Sequence, residues 1–298
     1  MSSAEPRSEN LTGILLMLAA MALFAVEDLF LKWAAIGLPL GQIVLISGVL
    51  GAPVFVAMAL RSGRGVFVKD ALHPAVIARN IGEMIGTASF VAALSTVPLG
   101  TVAAVLQAMP LAVTLGAALV FRERVGWRRW TAISVGFLGV LLVIQPGAEG
   151  FRSEALLVLV TVAGMSLRDL AARAGPVHLT TAQVSAWGLM AVSVLGAAML
   201  GVTGGARAVT GTEALVLLGA VVFGTAGYWA VTAASRTGEV SVVAPFRYSR
   251  LVFSMSLGVV FLAERPDALT LVGTGLIVGS GLYAFARERA RKRASLMA

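Results

Sequence analysis

The sequence predicts an all-α polytopic membrane protein, with ten transmembrane helices forming two inverted five-helix repeats around a central cavity. Three observations predict it. First, 58% of the 298 residues are hydrophobic and only 13% are charged, against ~25% charged in a soluble domain. Second, apolar stretches of about 20 residues, the length that crosses a bilayer core, recur between turn residues. Third, the chain matches itself at a constant offset. Val102, Ala103, Glu123 and Arg124 fall on Val243, Ala244, Glu264 and Arg265 (243 − 102 = 141), and without a gap Asp28 falls on Asp169, Gln42 on Gln183, Gly86 on Gly227 and Thr96 on Thr237. Matches of Ala, Leu and Val come cheaply in so apolar a chain. The Asp, Gln and Glu-Arg matches carry the duplication, which decides the fold before any local reading does.

Residues 1–10 form a short polar tail. Leu11 to Trp33 is the first span; a signal peptide is the alternative, but Asp28 has its mate in mid-chain, where no signal peptide can be. Further apolar segments run over 40–60, 74–95, 98–121, 128–146, 154–173, 180–200, 213–235, 239–262 and 268–286. Breakers separate them, among them Gly37-Leu-Pro39, Val97-Pro98, Gln145-Pro-Gly147, Gly175-Pro176 and Arg265-Pro266. The first repeat covers 11–146, the second 154–286, and 287–298 is a basic tail. Pro110 and Pro245 lie inside spans, where proline kinks a helix and frees backbone carbonyls. Glycine-rich patches, Gly136 and Gly139 or Gly273, Gly275, Gly279 and Gly281, suit close helix contacts.

The net charge of +8 fits nucleic acid or anionic lipid, and the placement of the charges favours lipid. Most of the 23 basic residues cluster at Arg61–Arg79, Arg122–Arg129, Arg168–Arg173 and Arg287–Arg293, whereas Lys32, Arg152, Arg207 and Arg265 fall on the other side. The positive-inside rule then puts both termini in the cytoplasm. An odd number of spans per repeat makes the second copy enter from the opposite face. Inverted repeats around a midplane site are the signature of secondary transporters. The absence of cysteine excludes disulfides and thiolate metal sites. The two histidines, His73 and His178, both lie in joints, so an intramembrane H-E-x-x-H site is excluded, and Ser166 of Gly164-Met-Ser166 has no histidine at its depth. Neither an enzyme activity nor a cofactor or metal is expected.

Glu-Arg at a helix end, in Phe121-Arg-Glu123-Arg124 and again in Leu262-Ala-Glu264-Arg265, resembles the EamA-type repeat of the drug/metabolite transporter superfamily. So do the run Ala92-Ala-Leu94, Pro110 in mid-helix and the glycine-rich helix that follows. The resemblance spans about residues 11–287. It implies that helices 1, 3 and 4 with 6, 8 and 9 enclose the cavity, with 5 and 10 at the periphery. Family members often carry an Arg in helix 2 and its copy; here Ser47 and Gly188 stand near those places, and the mate of Pro110 is Leu251. The resemblance is closest to bacterial inner-membrane exporters of amino acids and related metabolites. It implies export of a small amphipathic molecule, an amino acid and in one reading an aromatic or neutral one. Drug or other metabolite efflux or uptake by the same fold, and a non-transporting membrane receptor, remain as alternatives. The partners expected are that small molecule and membrane lipid, without nucleic acid and with the oligomeric state open.

An ionisable group at membrane depth faces a cavity or a partner by default. In helix 9, Ala244, Arg247, Tyr248, Leu251 and Met255 share a face, where Arg247 can grip a carboxylate with two hydrogen bonds and Tyr248 can donate or stack. The mate of Tyr248 is Gln107. Arg250 lies on a neighbouring face and reads as structural. Helix 3 offers Asn80 and Glu83, with Arg79 one turn before Glu83; Glu83 can accept an ammonium group or a proton, or pair with a cation such as Arg247. Tyr228 and Trp229 of helix 8 can line the cavity or simply fill space. Asp28, Arg168 and Asp169 read as gate or loop-anchoring ion pairs, with Lys32 one turn beyond Asp28. Glu123 and Glu264 read as helix-end anchors.

Overall fold

The computed structural model describes residues 6–122, 126–147, 153–237 and 239–297, and all regular structure among them is helical. The helices are α1 (Pro6–Gly37), α2 (Leu40–Arg61), α3 (Pro74–Thr96), α4 (Leu99–Leu106), α5 (Met109–Val120) and α6 (Trp127–Ile144), followed by α7 (Leu156–Ala174), α8 (Thr181–Thr203), α9 (Gly211–Thr237), α10 (Val240–Val243), α11 (Ser249–Leu262) and α12 (Ala268–Met297). Eight helical stretches among the described residues are long and apolar enough to cross a membrane, one of them the broken pair α4–α5. The chain is thus a multi-pass membrane protein. Two of the ten expected spans fall outside these eight. α3 has the length, at 23 residues, but carries Arg79, Asn80 and Glu83. The 239–262 segment divides into α10, a 3-10 turn over Ala244–Tyr248 and α11.

Both mid-span prolines act as the sequence indicates, by different geometry. Pro110 sits in the first turn of α5, where its missing N–H costs nothing. The break before it, at Gln107 and Ala108, separates α4 from α5. In the second half Pro245 opens the 3-10 turn. The two breaks converge, because the Gln107 side chain donates to the carbonyl oxygen of its own mate, Tyr248, at 3.4 Å.

Each main contact joins the two halves: α1 with α9, α2 with α8, α3 with α7, α4 with α11 and α6 with α12. Glycine makes two of these seams possible. A Cβ on Gly164 of α7 would stand 2.7 Å from the Gly86 nitrogen of α3, and one on Gly139 of α6 would stand 2.6 Å from the Gly273 oxygen of α12. Gly275 and Gly279 do not contribute, since a Cβ on either would meet open space. Matched glutamines bind loops across the halves in the same way. Gln42 donates to the Arg207 carbonyl at 2.7 Å, and Gln183 donates to the Gly65 carbonyl at 2.6 Å. Gln183 also completes a capping box with Thr180 at the start of α8. Asp267 caps α12 by accepting from Thr270 N at 2.7 Å. Hydrogen bonds from the Gln145 side chain and from Thr270 hold its carboxyl below the ordinary carboxylate range.

At one end of the bundle the halves are tied shut. Glu264, after α11, accepts from Leu99 N at 2.6 Å and Gly100 N at 3.1 Å, the open N–H groups of α4. Lys32 of α1 donates to the Leu94 and Val97 carbonyls at the end of α3, 2.9 and 2.6 Å away, and lies 3.9 Å from Glu264. Leu94, Val97, Leu99 and Val102 around this tie are at most 2% exposed. Glu264 is therefore a cap on another helix as well as an end residue of its own, while Glu123 and Arg124 lie outside the described residues. Removing a capping carboxylate costs about 0.5–2 kcal/mol. Glu264→Ala is expected to lower the thermal midpoint of the detergent-solubilised protein, and an unchanged midpoint would mean that water caps α4 equally well.

Candidate functional site: a charged central cavity

A cavity of about 920 Å³ runs between the halves. It reaches the end of the bundle where α3 and α8 begin and α7 ends, through Ala75, Val76, Gly175 and Thr181. The Lys32–Glu264 tie closes the opposite end. Its apolar wall includes Phe24, Phe55 and Phe90. Tyr228 meets Phe55 edge-on, with ring centroids 4.7 Å apart. The Tyr228 and Ser47 hydroxyl oxygens are buried without a hydrogen-bond partner among the described residues, although both residues line the cavity. A buried hydroxyl with no partner is costly, and a cargo entering here can satisfy both.

The charged lining forms two groups. In the first, Glu83 of α3 lies 3.2 Å from Arg79 and 3.4 Å from Arg168 of α7, and Arg168 reaches Asp169 at 2.9 Å. In the second, Arg250 of α11 holds Asp28 of α1 through contacts of 2.7 and 3.2 Å, and its guanidinium stands 5.2 Å from the Phe24 ring. Arg247 also lines the cavity. No hydrogen bond or ion pair holds Arg247 among the described residues, and its side chain is exposed to the cavity. Such an Arg is free to take an anion with its planar fork.

Of the residues expected from the sequence, Arg247, Gln107, Glu83, Tyr228, Asp28, Arg168 and Asp169 all line this one cavity. Three do not. Trp229 is 61% exposed on the outer surface, because one residue along a helix turns the side chain by ~100° from Tyr228. Tyr248 directs its hydroxyl against Gly281 of α12. Asn80 stands beside the cavity and accepts from Arg79 at 3.3 Å. Two pairings also differ from expectation. Glu83 pairs with Arg79, as their i, i+4 spacing allows, but its second partner is Arg168 and not Arg247, since the direct α3–α7 seam brings Arg168 to it. Asp28 pairs with Arg250, not with Lys32, which is held by the carbonyls at the end of α3.

Arg250, read as structural, lines the cavity as well as holding Asp28. Glu27, which did not stand out in the sequence, is a lining residue as well. A signal was there: its mate is Arg168, a reversal of charge next to the matched pair Asp28 and Asp169. Gly188 has a role as well. A Cβ there would stand 2.5 Å from Arg79 Nη1 and 3.3 Å from Glu83 Cγ, so the missing side chain leaves the space that the α3 ion pair fills. Among the described residues no group of three His, Cys, Asp or Glu side chains could hold a metal ion.

Two bundles of broken and glycine-seamed helices around a charged cavity define a membrane carrier. The EamA-like transporter family model matches residues 11–145 and 152–285, and the chain belongs to this family. A riboflavin transporter of Vibrio cholerae is 25% identical over 286 residues, covering 95% of this chain and 96% of that protein. The pseudopaline exporter CntI of Pseudomonas aeruginosa is 29% identical over 273 residues, covering 90% and 93%. An S-adenosylmethionine uptake transporter of Rickettsia prowazekii is 21% identical over 282 residues, covering 94% of each. A solved crystal structure shares the fold with a TM-score of 0.61 at 22% identity, over 91% of this chain and 97% of that one. The similar proteins are small-molecule transporters, and they include both an exporter and an uptake carrier.

Proposed function

We propose that this protein is a secondary transporter that carries a small organic metabolite with an anionic group and a flat ring through the central cavity by alternating access. The observation that carries this reading is Arg247, a cation in the cavity wall that no hydrogen bond or ion pair engages among the described residues, while Asp169 of the same cavity acts on it only electrostatically. It takes the carboxylate or other anion of the cargo. Phe24, Phe55 and Tyr228 take the ring, and Ser47 and Gln107 take polar groups of the cargo. The cavity lies at the upper end of the ~300–1,000 Å³ of ordinary ligand sites, which favours a cargo larger than the amino acid that the sequence reading expected. Riboflavin and S-adenosylmethionine, named for two of the similar proteins, both carry a planar heteroaromatic ring. Aromatic amino acids, the finer expectation from the sequence, form the smaller limit of the same class.

The cross-half contacts support an inverted pair of repeats, 11–146 and 154–286, as ten membrane segments. The pairing of α1 with α9 becomes that of α7 with α3 when the halves are exchanged, as any pseudo-two-fold axis requires, and an odd number of segments per half would place that axis in the membrane plane. With both termini in the cytoplasm of a bacterial inner membrane, as the basic residues indicate, the open end faces inward and the Lys32–Glu264 tie is the closed outer gate. Exchanging the arrangement of the two halves opens the other end. Asp28 with Arg250 and Arg168 with Asp169 and Glu83 lie at the seams where such a movement breaks and remakes contacts.

The test is flux in proteoliposomes loaded with S-adenosylmethionine or aromatic amino acids, which carry a carboxylate, and with riboflavin as the ring-bearing comparison that carries none. A hydrogen-bonded contact to a charged group contributes ~1.5–3 kcal/mol. Arg247→Ala is therefore expected to weaken saturable flux of the transported cargo by roughly 10- to 100-fold in apparent affinity, at ~1.4 kcal/mol per tenfold, with Arg247→Lys in between. Saturable flux that is indifferent to Arg247→Ala would overturn its assignment.

A further inference from the structure

The two halves treat one pair of equivalent positions in opposite ways. Arg168 of α7 faces Glu83 of α3 as a closed ion pair at 3.4 Å. The equivalent positions are Glu27 of α1 and Gly224 of α9, on helices that are in contact in the same way. There the positive charge is replaced by a carboxylate and the opposing carboxylate by a glycine. A Cβ on Gly224 would lie against the Glu27 carboxylate, 2.6 Å from its Cδ, so any larger residue would displace it. Glycine at 224 thus keeps the space that the Glu27 head occupies.

Glu27 lines the cavity and forms no hydrogen bond or ion pair among the described residues. Among the described residues the cation close to it, Arg250, is already bound to Asp28 through three contacts of 2.7 to 3.2 Å. On the other elements against α1, the charged groups of the same cavity are Arg79 and Glu83 of α3 and Arg247 of the 3-10 turn. Arg79 is bound to Glu83. α9 lines the cavity with Gly224 and Thr225 and, one turn on, with Tyr228, which brings a hydroxyl but no charge. A carboxylate at membrane depth without a cation is costly, and here it faces a space large enough for one.

We propose that Glu27 is the cation site of the transport cavity, occupied in turn by one positive charge: a proton, or the cationic group of the cargo. It has one of the two roles open to Glu83 in the sequence, a role that the two arginines bound to Glu83 leave that residue no capacity to fill. With Arg247 it makes the cavity a receptor for both ends of a zwitterion, or couples the movement of an anionic cargo to a proton. This inference rests on transport through the cavity, but its first test does not.

Dicyclohexylcarbodiimide attacks protonated carboxyl groups in apolar surroundings. The reconstituted full-length protein is treated with it, and the modified peptide is identified by mass spectrometry. The expected result is an adduct on Glu27 that disappears in Glu27→Gln. Adducts on Glu83 or Asp28 with Glu27 unmodified would overturn the proposal, as would no adduct at all. Protection by alkaline pH alone identifies the proton as the occupant; protection by S-adenosylmethionine, with its fixed sulfonium charge, at constant pH identifies a cationic cargo. The second arm is proteoliposome flux. Glu27→Gln is expected to abolish accumulation driven by a pH gradient or to lose the preference for a cationic over an uncharged cargo. Glu27→Gln with both unchanged would overturn the proposal. If the wild type carries none of the cargoes while the Glu27 adduct forms, the proposed function fails and the cation site stands.

Discussion

Asp28→Ala is expected to be among the most destabilising single substitutions in this protein. Asp28 is 2% exposed and takes three contacts from Arg250, which reaches it across the halves from α11 to α1. Assembling such a pair gains little over an apolar pair, because both charges must leave water. Removing one partner is different: the survivor keeps its desolvation cost and loses its compensation, typically about 3–5 kcal/mol. Asp28→Ala leaves Arg250 with the Phe24 ring at 5.2 Å, a contact of about 0.5–2 kcal/mol, too weak to offset the loss. The measurement is the fraction of protein that stays monodisperse in detergent after graded heating, a readout suited to membrane proteins that unfold irreversibly. Asp28→Ala is expected to fall well below wild type, and the double variant Asp28→Leu with Arg250→Met to recover most of the difference. A double variant no better than Asp28→Ala would show that the damage comes from shape rather than charge.

The second large effect is steric and lies on the seam between α3 and α7. Gly164→Val would force a branched Cβ to within 2.7 Å of the Gly86 nitrogen and 3.0 Å of the Gly82 oxygen. These are backbone atoms on a helix, so relief requires the helices to separate. In a bilayer, helices associate through close contact rather than through the hydrophobic effect, so separation removes the main attraction between them. Overpacking usually costs about 1–3 kcal/mol, and a seam of glycines with no side chain to move belongs at or above the top of that range. The same separation pulls Arg168 away from Glu83, so cavity chemistry and stability should fail together. Gly275→Ala is the control. It lies in α12 facing open space, and alanine there should be neutral or stabilising by about 0.5–1 kcal/mol. Equal loss of stability in both variants would refute the seam as the cause.

Much of the fold was legible in the sequence because its causes are one-dimensional. Apolar length gives membrane segments, and a constant offset gives a duplication. Rare polar letters that match across that offset mark positions with the same role in both halves. Gln42 and Gln183, for example, each clamp a loop of the other half. The prolines marked the two broken spans, although the residue that breaks the second, Pro245, is not the mate of Pro110.

Partner choice was not legible. Glu83 could have met Arg79, Arg168 or Arg247, and Asp28 could have met Lys32 or Arg250. Spacing on one helix favours Lys32 for Asp28, yet the α1–α11 approach brings Arg250 closer, and the α3 carbonyls claim Lys32. Which side of a helix faces the cavity was also hidden at single-residue resolution, so Tyr228 lines it and Trp229 does not. The order of residues alone was enough to define a duplicated, multi-pass, helical membrane protein of the EamA type with charges at membrane depth. Which of those charges neutralise one another, and which have no hydrogen bond or ion pair among the described residues, as with Arg247 and Glu27, was settled when the helices packed. Burial in an apolar medium follows from a segment's own composition, whereas an ion pair depends on distances of a few ångströms between helices far apart in the chain.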